Sequence, residues 1–67
     1  MYEFETVVNY PWEFRVLSNG MEIATIIQHS KYGITLHINE DARLVDGEAQ
    51  DIEREFFEKV IKKEERR

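Results

Sequence analysis

Ser18-Asn19-Gly20-Met21 constrains this chain more than any other stretch. Asn-Gly between alternating apolar residues favours a two-residue type I′ turn, because both central positions need φ > 0. Such a turn pairs Ser18 with Met21 and so aligns the strands on either side. Residues 12–18 then place Trp12, Phe14 and Val16 on one face and Glu13, Arg15 and Leu17 on the other. Residues 21–29 place Met21, Ile23, Thr25, Ile27 and His29 with the first set, and Glu22, Ala24, Ile26 and Gln28 with the second.

Two neighbouring strands extend the pattern. Residues 2–8 alternate Tyr2, Phe4, Thr6 and Val8 against Glu3, Glu5 and Val7. Asn9-Tyr10-Pro11 interrupts them, since proline lacks the N–H of a ladder. This predicts Val8 opposite Trp12, Thr6 opposite Phe14 and Phe4 opposite Val16. Ser30-Lys31-Tyr32-Gly33 reads as a loop in which Gly33 supplies a left-handed residue. Residues 34–38 follow, with His29 opposite Ile34 and Ile27 opposite Leu36. In this register every strand turns its large apolar residues to one side, and a slip of one residue would reverse a strand.

From Glu48 the apolar period changes from two to 3.6 residues. Ala49, Ile52, Phe56 and Val60 form a helical stripe, widened by Phe57 and Ile61. Acids lead the helix and bases close it, matching its macrodipole. Glu55 with Lys59 and Glu58 with Lys62 are acid-first i,i+4 pairs. Asp46 is the expected N-cap. Between sheet and helix, residues 42–45 read as a short fifth strand or an extended segment. Residues 64–67 are expected to fray.

A one-faced sheet and a one-striped helix must cover each other. The expected fold is therefore a single α+β domain over residues 1–67. It has two layers: a four-stranded antiparallel β-meander with strands at about 2–8, 12–18, 21–29 and 34–38, packed against one C-terminal helix at about 48–64. Its expected core is Phe4, Val8, Trp12, Phe14, Val16, Ile23, Ile27, Leu36, Ile38, Ile52, Phe56 and Val60.

Chemistry is sparse. With 67 residues and no cysteine, thiolate metal sites, cysteine nucleophiles and disulfides are excluded. The N-terminus lacks the basic and apolar regions of a signal peptide, and a cytoplasmic location is expected. His29 and His37 fall on opposite faces in this register and do not converge. Asn39, Glu40, Asp41 and Asp46 offer oxygens without EF-hand spacing and read as turn and capping residues. The glycines are isolated, so no phosphate-cradling loop exists. No catalytic residue, cofactor or metal is expected.

The net charge is −5, which repels phosphate backbones and anionic membranes. Residues 40–58 carry eight acids against two bases, whereas 59–67 carry five bases against two acids. Strand aromatics fall on the helix-covered face, unlike those of sheet-surface RNA readers, so direct nucleic-acid binding is not expected.

The uncovered sheet face is the leading candidate surface. An exposed antiparallel face is ordinarily polar, so Leu17 and Ile26 stand out there. Arg15, Leu17, Glu22, Ala24 and Ile26 form the expected partner-binding set. In this register Leu17→Glu and Ile26→Lys leave the fold intact. The loop residues Tyr10, Lys31 and Tyr32 are further anchor candidates. The leading function is a non-catalytic protein–protein interaction module, monomeric or weakly homodimeric, acting through that face or a sheet edge. An alternative is an acidic inhibitor that mimics nucleic acid through Asp46, Glu48, Asp51, Glu55 and Glu58. A third is an engineered or stability-selected scaffold with no evolved ligand.

Overall fold

The computed structural model describes residues 2–65. Residues 66 and 67, part of the segment expected to fray, lie outside them. Four strands form one antiparallel sheet in the order β1-β2-β3-β4: β1 (Glu3–Val7), β2 (Tyr10–Ser18), β3 (Met21–Gln28) and β4 (Ile34–Ile38). A helical segment follows as α1 (Glu48–Phe56), a π-helical turn (Phe57–Ile61) and α2 (Lys62–Glu65). The two-layer α+β architecture matches expectation. Residues 42–45 form no strand, so the sheet ends at β4.

The Asn-Gly turn forms as expected. Asn19 and Gly20 have φ of 53° and 81°, Ser18 pairs with Met21, and Leu17 pairs with Glu22. The register then breaks. Val16 faces Ala24, Arg15 faces Thr25 and Phe14 faces Ile26, leaving Ile23 as an unpaired bulge residue. A β-bulge inserts one residue and reverses the parity of everything beyond it. Ala24 and Ile26 therefore enter the core with no solvent exposure. Thr25 and Ile27 turn to the face of Arg15 and Glu13. A second offset compensates. Gln28, rather than His29, pairs with Ile34, so Leu36 faces Ile26 and Ile38 faces Ala24. Thus β4 keeps its expected inner face although β3 does not.

The β1–β2 hairpin also departs from expectation. Phe4 faces Val16 and Thr6 faces Phe14 as expected, but Val7 pairs with Tyr10. The turn is Val8-Asn9, with Asn9 at φ 70°. Residues 11–13 have no counterpart on β1. Pro11 sits in that gap, where its missing N–H interrupts no β1 bond. Gly33 has no positive φ; it packs so close to Ser30 that an added Cβ would lie 2.7 Å from Ser30 Oγ.

The core comprises Tyr2, Phe14, Val16, Ala24, Ile26, Ile52, Phe56 and Ile61, supported by half-buried Phe4, Ile23, Ile34, Leu36, Leu44 and Val60. Phe56 is its centre, with edge-on contacts to Phe14 (centroids 4.9 Å) and Phe4 (5.3 Å). The π turn decides which residue follows it inward. The Lys62 N–H donates to Phe57 O, five residues back. That wider loop places Ile61, five residues after Phe56, against the sheet and leaves Val60 half-buried. At the other end of the helix, Gly47 with φ 85° is the N-cap rather than Asp46. Glu48 Oε1 reaches back to accept the Val45 N–H at 3.2 Å.

Candidate functional site

The bulges redistribute the expected site residues. Ala24 and Ile26, expected on the free face, are interior residues. Trp12 and Val8, expected in the core, are outside it. Arg15, Leu17 and Glu22 stay on the uncovered face, where Arg15 Nε lies 3.7 Å from Glu22 Oε1. That face now comprises three cross-strand rows. Glu3, Leu17 and Glu22 form one; Glu5, Arg15, Thr25 and His37 a second; Glu13, Ile27 and Thr35 a third. It is mixed and polar, with Leu17, Thr25 and Ile27 half-buried by their neighbours. The apolar anomaly read from Leu17 and Ile26 therefore passes to Leu17 and Ile27.

His29 and His37 lie on the same face, not opposite ones. His29 Nε2 is 2.7 Å from Thr35 Oγ1, and Thr35 shares its face with His37. Among the described residues, no three His, Asp or Glu side chains converge on a point that would hold a metal ion.

Met21, Tyr32 and Val45 are exposed singly, and three further exposed apolar residues fall close together in sequence at the end of the β1–β2 hairpin. Val8 is 80 %, Tyr10 62 % and Trp12 67 % exposed. The cause is local. The two-residue turn closes between Val7 and Tyr10, and Trp12 lies in the stretch 11–13 that has no partner on β1. A chain with a small core thus leaves its largest side chain in water. The signal was present in the sequence: Val7-Val8 and Tyr10-Pro11-Trp12 both break strict alternation.

The acids read as a mimic surface do not form one free band. Glu55 Oε1 accepts the Tyr2 backbone N–H at 3.0 Å and lies 3.1 Å from Lys59 Nζ, which donates onward to Tyr2 O at 2.9 Å. Burial alone would raise the Glu55 carboxyl, but the Tyr2 amide and the Lys59 ammonium outweigh it and hold it below its ordinary value. The Tyr2 hydroxyl is pushed up, first by burial and then by the Glu48 carboxylate. Glu48 accepts the Val45 N–H from the loop ahead of the helix, and Asp51 pairs with Arg54. Asp46 and Glu58 are exposed.

Elsewhere, Tyr32 stacks on Phe57 at 5.7 Å, tying the β3–β4 loop to the helix. Glu58, Lys59, Lys62 and Lys63 line a solvent-open depression. No helix among the described residues is long and apolar enough to cross a membrane. In comparisons with known proteins, no family model, curated protein or solved structure matches this chain.

Proposed function

We propose that this is a non-catalytic protein–protein interaction module, acting in the cytoplasm, whose anchor is the β1–β2 hairpin end. The observation that carries this reading is Trp12 at 67 % exposure, with Tyr10 and Val8 near it in sequence and also exposed. Trp and Tyr dominate interface energetics because each buries a large, rigid surface on desolvation. They sit here on a short hairpin, so little ordering is needed when a partner covers them. The adjoining outer face, with Glu3, Glu5, Glu13, Arg15 and Leu17, supplies a charged rim. The core also closes without any covalent staple, as a reducing compartment requires.

The test is affinity capture from cell extract with wild-type protein and a Trp12→Ala/Tyr10→Ala variant of verified fold. A specific partner held by wild type and lost by the variant supports the reading. A partner held equally by both sinks it.

A further inference from the structure

We propose that the β4 edge pairs with the β4 edge of a second copy, in one register, to give a weak two-fold dimer with a continuous sheet. This is independent of the hairpin reading and uses the opposite edge of the sheet.

The two edges are guarded differently. Sheet edges are ordinarily blunted by charge, proline or a bulge. The β1 edge carries Glu3 and Glu5 and ends in a register break. The β4 edge is Ile-Thr-Leu-His-Ile, with no acid, no lysine, no proline and an unbroken register to β3. Residues 40–47, which follow it, make no backbone hydrogen bond to it among the described residues.

Its free backbone groups can be assigned. The His29 N–H donates to Gly33 O and the Asn39 N–H donates to Ile23 O, so the odd-numbered residues bond inward to β3. By antiparallel alternation, Ile34, Leu36 and Ile38 point their N–H and C=O outward. They are centred on Leu36, and the strand is nearly palindromic about it. Antiparallel self-pairing places Leu36 opposite the partner's Leu36 and Ile34 opposite the partner's Ile38, each pair exchanging both hydrogen bonds. Thr35 then meets the partner's His37 on the outer face. A two-fold interface demands this self-complementarity, and a foreign strand would match it only by chance. The pairing would also cover Ile38, which is 39 % exposed in the single chain.

Sedimentation equilibrium from about 10 μM to about 1 mM covers the range expected of an interface smaller than the ~1,200 Å² of stable complexes. The apparent mass should climb from 8.1 kDa toward twice that. Added salt should strengthen association, because it screens repulsion between two chains of net charge −5. Thr35→Lys with His37→Lys sets like charges across both symmetry-related pairs and should raise the dissociation constant about tenfold. Thr35→Lys with His37→Glu should restore association. The first variant has the smaller net charge, so bulk electrostatics alone gives the reverse order. In the wild type, amide exchange at Ile34, Leu36 and Ile38 should slow as concentration rises. A mass of one chain throughout, a dimer indifferent to the lysine pair, or concentration-independent exchange at these amides would overturn the proposal.

Discussion

Ile26 and Ile27 are adjacent and chemically identical, yet the bulge at Ile23 separates their fates. Ile26 is fully buried, and Ile27 lies half-exposed on the outer face beside Glu13 and Thr35. Ile26→Lys is therefore expected to unfold the protein, because an unpaired charge in the core costs several kcal/mol. Ile27→Lys should cost under about 1 kcal/mol. Urea titration followed by circular dichroism separates the two; a larger loss at Ile27 would mean that the bulge is misplaced. Glu55 makes a second residue-scale case. Its carboxyl, 24 % exposed, titrates lower in the folded chain than its ordinary value of 4.5. The ion pair thus contributes fully above the unfolded value, and its contribution is lost as pH falls through the folded one. Glu55→Gln is expected to cost about 1–2 kcal/mol at pH 7 and progressively less as pH falls below 4.5. The measurement is the pH dependence of the urea midpoint.

At the scale of elements, sequence and structure differ wherever one extra residue is absorbed. Strict alternation assigned Met21, Ile23, Thr25 and Ile27 to the inner face, Ile23 and Ile27 to the core. The doublets Ile23-Ala24 and Ile26-Ile27 violate that alternation, and the first of them holds the point where β3 changes face. The helix repeats the theme. A 3.6-residue period selects Val60, whereas the π turn selects Ile61, and the doublets Phe56-Phe57 and Val60-Ile61 bracket it. Ile61→Ala should cost about 2–5 kcal/mol and Val60→Ala less than half as much. Thermal melts of the two variants check this; a larger loss at Val60 would restore the regular helix.

The whole molecule is a thin two-layer body with radius of gyration 11.5 Å, built around Phe56. So little interior is available that the choice of which aromatics to bury defines the surface. Trp12 is left outside, with a consequence for the protein as a whole. Its fluorescence should be red-shifted and readily quenched by acrylamide in the native state, and should change little on unfolding. Trp12→Ala should cost under about 1 kcal/mol, since a surface side chain loses little on truncation. A blue-shifted, quencher-resistant native emission would return Trp12 to the core and remove the anchor proposed for partner binding.

By itself the sequence determined what short-range chemistry controls. Asn19 and Gly20 demand a tight turn, the two periods distinguish strands from helix, and one apolar face on each element forces them together. The tertiary structure decided what depends on packing across layers. A β-bulge at Ile23, an unmatched stretch at 11–13 and a π turn at Phe57–Ile61 each shift a register by accommodating extra residues. A single extra residue turns a strand's side chains to the opposite face, and nothing local in the chain states which apolar doublet will absorb it. The helix lying on the sheet settles that choice. It buries Ala24 and Ile26 beneath it and leaves Ile27 half-exposed and Trp12 on the surface.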